Sequence, residues 1–467
     1  MRKILSILAC VGVCISLSLT AFAAQPQQWD IKSQTAVLIN ANTSQVLFDK
    51  NKDARMYPAS ITKILTGALA IQNGNLSDTL TASYDAVHSL PRGTSHIALD
   101  AGEQITLEQA LYGLAIESAN DAANVIAEAI GGTREQFCFL MNDYAMQLGA
   151  TNSHFTNPHG LPDDNHYTTA YDMALITAAA IKTPRFCDIF STRRYDIPPT
   201  NKKPETRQFW NANGFLNNQV PYEGIVMSKT GWTEESGHTL VAAAQQNGVT
   251  LIAVVMNSPR TQDSYSDIVA MFDYGFGDFE QVTVGTQTLV ANLPADCPSG
   301  DGGIIKVEKE NALADEISVL LPIGADPSGI FVEYGQAKEQ GRCADITATV
   351  LYTQGDITFT LGTANITAIM QEPVVETTLS QKLFAFAKKP TFFIFHAIMW
   401  LVFGFTLWFI LRCMIIYECR RRRKKRKMMK KQGGYNRSQR PTKKQELSPA
   451  QIQQRQAQRL RQQIYKD

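Results

Sequence analysis

Tyr57-Pro-Ala-Ser-Ile-Thr-Lys-Ile-Leu-Thr66 places a serine and a lysine three residues apart at the mouth of an apolar run. Pro58 and Ala59 precede the serine, and Ile64, Leu65, Ala68, Leu69 and Ile71 follow at spacings that predict a helix buried on much of its surface. With Ser60 opening that helix, Lys63 lies one turn on and on the same face, within reach of the hydroxyl. A serine hydroxyl is a poor nucleophile at neutral pH and needs a neighbour to take its proton as it attacks a carbonyl. For that task the lysine has to be neutral, which burial and a nearby cation arrange by lowering its pKa. The plain alternative for Ser60 is a helix N-cap, where the hydroxyl only satisfies backbone N–H groups.

Two more short motifs follow in order, Ser118-Ala-Asn120 and Lys229-Thr-Gly231. Each is weak alone; order, spacing and context carry the argument. Together they spell the three-part signature of the penicilloyl serine transferases. The segment around Ser60 resembles the active-site stretch of the serine-type D-alanyl-D-alanine carboxypeptidases, the low-molecular-mass penicillin-binding proteins. The resemblance continues through Thr35-Ala-Val-Leu-Ile-Asn-Ala-Asn-Thr-Ser-Gln-Val-Leu-Phe48, a hairpin pattern, and Glu117-Ser-Ala-Asn-Asp-Ala122. It takes in Phe155-Thr-Asn-Pro-His-Gly-Leu161 with Tyr171-Asp172, then Ser228-Lys-Thr-Gly-Trp-Thr233 before Thr239-Leu-Val-Ala-Ala-Ala244. Coverage runs from residue 30 to about residue 375.

The resemblance implies an α/β fold: a β-lactamase/transpeptidase-like catalytic domain, made of an antiparallel sheet with a helical subdomain, then a small all-β domain and a single C-terminal transmembrane helix. It implies that Ser60 is the nucleophile forming an acyl-enzyme, Lys63 the base, and Ser118 a relay carrying the proton toward the leaving D-alanine. Asn120 would hold the substrate amide, Lys229 attract the terminal carboxylate and Thr230 orient it. The backbone N–H groups of Ser60 and Trp232 would form the oxyanion hole, with Gly231 letting the substrate backbone approach the strand. The substrate implied is the peptidoglycan pentapeptide stem, with β-lactam antibiotics as covalent inhibitors. No metal or other cofactor is called for.

One departure discriminates among relatives that share these motifs. Class A β-lactamases use an added glutamate for deacylation, and no E-x-x-L-N lies between Ser118 and Lys229. That favours a carboxypeptidase that penicillin traps. The alternatives are a β-lactamase, an endopeptidase or a transpeptidase of the same kind, or a catalytically silent penicillin-binding sensor. Intact Lys63 and Lys229 argue against the sensor. Ala119 is a small residue where related sequences carry Gly or Asp, and it leaves its neighbours alone. His154, His159 and His166 fall near Asp163, Asp164 and Asp172, but their spacing fits no common zinc pattern, and turn hydrogen bonding is the reading for His159 and Asp172. His238 either lines the cleft or packs.

The net charge of +1 over 467 residues hides an asymmetry. Residues 412–467 hold 19 Lys+Arg against 3 Asp+Glu, leaving 25 basic and 40 acidic residues for the rest. Topology explains it. Arg2 and Lys3, the apolar run Ile4 to Leu19, and Ala21-Phe22-Ala23 read as a signal peptide over 1–23; a lipoprotein signal ending at Cys10 has too short an apolar stretch. Phe392 to Leu411 is an apolar run broken only by His396, Gly404 and Thr406, long enough for a membrane helix over 391–416 after a linker at 376–390. Arg412 and the block Arg420 to Lys427 then place the C-terminus in the cytoplasm and the catalytic domain outside. The basic tail, 417–467, reads as largely disordered, helical only around Ala450 to Ile464; its block is a stop-transfer signal touching anionic lipid, and nucleic acid is not an expected partner.

Between signal and anchor the 44% hydrophobic chain supplies a real core and divides once. Residues 30–275 predict strands at both ends of a helical middle, Leu107 to Ile130, Glu135 to Leu148 and Tyr171 to Ile181. Residues 280–375 predict short alternating strands such as Gln281-Val-Thr-Val and Asp345-Ile-Thr-Ala-Thr-Val-Leu-Tyr352. Cys138, Cys187, Cys297 and Cys343 lie outside the membrane, away from the motifs. Cys297 and Cys343 share the small domain, and the sequence leaves their pairing open; Cys413 and Cys419 sit at the cytoplasmic border.

Overall fold

Leu240–Ala244 and Leu251–Met256 are unbroken apolar runs, and both lie in inner strands of a sheet covered on its two faces. The computed structural model describes residues 30–355, 357–371 and 390–429, in two units, residues 1–372 and 373–467. The signal segment, most of the linker and the tail beyond 429 lie outside the described residues, as does the helix expected around Ala450 to Ile464.

In the first unit the elements are β1 (Thr35–Asn40), β2 (Val46–Lys50), a 3₁₀ turn (Ala59–Thr62), α1 (Lys63–Asn73), β3 (Thr79–Thr81), α2 (Tyr84–His88) and β4 (Gln104–Thr106). There follow α3 (Leu107–Ile116), α4 (Asn120–Gly131), α5 (Arg134–Gln147), α6 (Ala170–Ala180), α7 (Phe186–Phe190), β5 (Arg194–Ile197) and β6 (Arg207–Trp210). The chain then returns through β7 (Ile225–Thr233), β8 (Gly237–Gln246), β9 (Val249–Ser258) and α8 (Thr261–Gly277). The main sheet is antiparallel with order β2-β1-β9-β8-β7, so β7 is an edge. Val37, Ile39, Val241, Ala243, Ile252 and Val254 face the helical middle. Their alternate neighbours, among them Leu38, Leu240, Leu251 and Val255, face α8, whose Tyr265, Ile268, Met271 and Phe272 recur at helical spacing. Burial on both faces is why these strands show no polar alternation.

The expected helix Leu107 to Ile130 is two helices. The chain breaks at Ser118, whose φ is +55°, and restarts at Asn120. No glycine or proline marks the break, so the apolar periodicity runs across it unchecked. A left-handed serine costs on the order of 1 kcal/mol or more and persists only where the surroundings impose it.

Residues 279–371 form β10 (Phe279–Val284), α9 (Thr286–Val290), β11 (Asp296–Pro298), β12 (Ile304–Ala314), β13 (Ile317–Pro322), β14 (Ile330–Gln340), β15 (Cys343–Gln354) and β16 (Ile357–Met370). β10 pairs with β13, and the other five make a sheet of order β11-β12-β16-β15-β14. Ala344, Ile346, Ala348 and Val350 alternate inward along β15, giving a separate apolar core with Val307 and Ile366. Cys297 and Cys343 are free thiols; Cys297 donates to the Pro294 carbonyl at 3.4 Å. This part is stitched to the main sheet by buried Gln45, which donates to Leu320 O at 2.6 Å and accepts from Leu320 N at 2.9 Å.

In the second unit, α10 (Pro390–Met429) contains one stretch, His396–Glu418, long and apolar enough to cross a membrane.

Candidate active site

Ser60 does not open an α-helix. It sits in the 3₁₀ turn ahead of α1, and no side chain caps either element. The N-cap reading therefore fails, and the hydroxyl faces Lys63 Nζ at 2.9 Å. Ala59, just before it, has φ +49°. Two glycines make that turn possible. A Cβ on Gly160 would lie 1.8 Å from the Ala59 carbonyl oxygen, and one on Gly231 would lie 2.8 Å from Ser60 N and 2.4 Å from Thr239 Oγ1. Thr239 in turn donates to Pro58 O at 3.0 Å. The nucleophile turn is clamped between the Pro158–Leu161 loop and the β7–β8 pair.

Lys63 is wholly buried. Its Nζ donates to Asn120 Oδ1 and to the His159 carbonyl, each at 2.7 Å. Burial lowers its pKa well below the ordinary lysine range, the Lys229 charge lowers it further, and Asp121 opposes. A neutral amine has two hydrogens and one lone pair. Two acceptor-only carbonyl oxygens take the hydrogens, so the lone pair is left for the Ser60 hydroxyl. Lys229 is the nearby cation, and burial is the larger cause of the shift.

Lys229, nearly fully buried on β7, donates to Ser118 Oγ at 2.9 Å and Thr230 O at 3.0 Å; burial brings its pKa down to about 7. Ser118, Lys229 and Thr230 line a cavity of about 220 Å³ in which Lys229 is the one cation. Trp232 lies next along the edge strand with its indole 61% exposed. The three motifs thus converge: Ser60, Lys63 and Asn120 on one chain of contacts, Ser118 and Lys229 on another, Gly231 against Ser60.

Several residues take supporting roles that motif spacing does not announce. His166 Nδ1 accepts from Thr156 N at 3.0 Å, which leaves Nε2–H to donate to Thr62 Oγ1 at 2.9 Å; burial brings its pKa down to about 3, so the ring is neutral. Thr66 donates to Pro158 O at 2.6 Å. Asp121, beside Asn120, accepts from Ile97 N and Leu99 N at 3.1 and 3.0 Å and ties the loop before β4 to the start of α4. The segment Phe155 to Leu161 contributes the His159 backbone carbonyl to Lys63, a group that no residue type advertises. His159 and Asp172 serve turns: the His159 ring accepts from Leu161 N at 3.2 Å, and Asp172 accepts from Asn152 N at 2.8 Å. His238 pairs with Thr261 Oγ1 at 3.1 Å. Among the described residues no group of three His, Cys, Asp or Glu side chains is arranged to hold a metal.

A family model described as D-alanyl-D-alanine carboxypeptidase matches residues 20–260. D-alanyl-D-alanine carboxypeptidase DacF of Bacillus subtilis is 34% identical over 291 residues, covering 60% of this chain and 72% of that relative. D-alanyl-D-alanine carboxypeptidase DacA of Haemophilus influenzae is 33% identical over 283 residues, 59% of this chain and 69% of the relative. Among solved structures, penicillin binding protein 5 from Haemophilus influenzae aligns with a TM-score of 0.58 and 27% identity, over 75% of this chain and all of that one.

Proposed function

This chain belongs to the D-alanyl-D-alanine carboxypeptidase family, and we propose that it is a serine enzyme removing the terminal D-alanine from peptidoglycan pentapeptide stems through an acyl-enzyme that penicillin traps. Its α/β fold is that of the penicillin-binding transpeptidase-like proteins. The observation that carries the reading is the buried Lys63 amine, with both hydrogens committed to carbonyl oxygens and its remaining valence on Ser60.

The proposed steps follow from those contacts. Lys63 takes the hydroxyl proton as Ser60 Oγ bonds to the carbonyl carbon of the penultimate D-alanine. The oxyanion is held by the N–H groups of Ser60 and Trp232. As the tetrahedral species collapses, the C–N bond breaks, and the terminal D-alanine leaves with a proton passed through Ser118. Water then attacks the ester, with Lys63 again as base, and Ser60 is regenerated. Lys229 and Thr230 hold the terminal carboxylate, which restores the full charge on Lys229 by favouring its protonated form. Asn120 does double duty, orienting Lys63 and holding the substrate amide.

Residues 30–275 are proposed as the catalytic domain, 280–375 as a spacer, and His396–Glu418 as a membrane anchor, with the basic block from Arg420 to Lys427 on the cytoplasmic side. The test is direct: the full-length protein should release D-alanine from diacetyl-Lys-D-Ala-D-Ala and take up labelled penicillin, and Ser60→Ala should abolish both. Labelling that persists in Ser60→Ala sinks the nucleophile assignment, and repeated hydrolysis of penicillin moves the chain to the β-lactamases.

A further inference from the structure

The β5–β6 hairpin presents one exposed aromatic ring among polar side chains beside the cavity that holds Lys229. Its register pairs Arg194 with Trp210 and Asp196 with Gln208 on the outward face, and Tyr195 with Phe209 and Ile197 with Arg207 on the inward face. We propose that the outward face binds a sugar ring of a glycan strand, seating the enzyme on its polymeric substrate through a contact outside the chemistry. The proposal rests on the carboxypeptidase reading, which makes stem peptides carried on a glycan the substrate.

The inward face fixes the hairpin to the body of the domain. Ile197 and Phe209 are buried, and the Tyr195 ring stacks on Tyr112 of α3 with centroids 3.9 Å apart. Arg207 donates to Ile97 O at 2.9 Å and to Glu103, whose side chain is fully buried, at 2.5 Å. Side chains on the outward face are therefore in place before a partner arrives, which lowers the ordering cost of binding. Trp210 is 62% exposed, and with Asn211 and Asn213 it lines the cavity that holds Ser118 and Lys229. The outward face is thus continuous with the candidate active site.

Chemistry and size decide the occupant. One face of a pyranose ring carries C–H bonds, weakly positive at hydrogen, which the negative face of an indole attracts while apolar area is buried. The hydroxyls at the edge of the sugar call for polar partners around that indole. Arg194 lies 4.6 Å from the Trp210 centroid, and its Nε and Nη2 donate to the two oxygens of Asp196 at 3.1 and 2.8 Å. A guanidinium has five N–H donors and a carboxylate about four acceptor sites, so most of both are left for hydroxyls, and the Gln208 amide adds a donor and an acceptor. Four residues on each of two strands present a face on the order of 100 Å². A stable protein interface takes about 800 Å² from each partner, so the face suits a sugar ring and is too small for a protein.

The experiment measures D-alanine release by the full-length protein from soluble diacetyl-Lys-D-Ala-D-Ala and from insoluble pentapeptide-bearing wall polymer, with glycan chains stripped of their stems as competitor. Trp210→Ala should lower the ratio of polymer rate to soluble-peptide rate by about tenfold, the effect of one lost stacking contact, and Trp210→Phe should restore most of it. Gln208→Ala, on the same face but outside the cavity lining, should slow the polymer reaction about threefold and leave the soluble peptide unchanged. Stem-free glycan should compete with the polymer and not with the soluble peptide, and that competition should vanish in Trp210→Ala. An unchanged ratio, or glycan that competes equally in wild type and Trp210→Ala, overturns the sugar contact while leaving the enzyme reading intact. A lowered ratio without competition by glycan overturns it too and assigns the face to a protein. No D-alanine release from the soluble peptide by wild type overturns the carboxypeptidase reading and the proposal with it.

Discussion

Residues 30–277 and residues 279–371 fill their interiors differently. Among the described residues, every buried polar or charged side chain lies between Ser33 and Asp267, and the later part buries apolar groups alone. The non-glycine residues of positive φ also fall in the earlier part, Ala59 and Ser118 among them. A buried amine and a left-handed serine each cost stability that an apolar, regular alternative would not. The earlier part accepts those costs where the three motifs meet. The later part follows the ordinary rules of a two-faced sheet, with alternate side chains of β15 turned into its own apolar core.

The sharpest way to break that contrast is to remove one buried amine. Lys63→Met should slow acylation by penicillin and by peptide alike, by about 10²- to 10⁴-fold, because both reactions need the base. Stopped-flow acylation that stays near the wild-type rate would return Lys63 to a packing role. Ile346→Ala in β15 should do the reverse. Truncating a fully buried side chain in the second core should cost about 2–5 kcal/mol in denaturant melts of that part, with penicillin acylation changed less than twofold. A large loss of acylation at unchanged stability would show that the later part contributes to the site.

The smallest effect is one of pH, and it sharpens the comparison by titrating a single buried group. Lys229 has a folded pKa of about 7 against 10.5 for an ordinary lysine. As pH rises through 7 the free enzyme loses the charge proposed to attract the substrate carboxylate. kcat/KM should therefore fall by up to tenfold per pH unit above 7, while kcat at saturating peptide declines less. The stability effect has the opposite sign. Between pH 7 and 10.5 the unfolded chain binds more protons than the folded one, so stability drops as pH falls across that window. Lys229→Met lacks that slope and should unfold at a higher temperature than wild type at pH 7.5. A variant that melts lower there would mean that the contacts of Lys229 to Ser118 and Thr230 outweigh its desolvation.

Part of this molecule was legible because its chemistry demands residue types at fixed separations. A serine and an amine three apart, a Ser-x-Asn and a Lys-Thr-Gly announce an acyl-transfer site wherever the chain carries them. Period-two burial in β15 and the apolar runs of β8 and β9 announce strands for an equally local reason, that successive side chains face opposite sides. The sequence alone determined the reaction class, the nucleophile candidate and the change of pattern near residue 280. It did not determine the break at Ser118, where apolar periodicity continues across the gap, nor that Ser60 lies in a 3₁₀ turn. Nor did it show that Lys63 is held by the carbonyl of His159, 96 positions away. A carbonyl is the same on every residue, and only the tertiary fold decides which one is brought against a buried amine. The desolvation that lowers the pKa of that amine is likewise a property of its surroundings, which the chain assembles from α1, α4 and the Pro158–Leu161 loop.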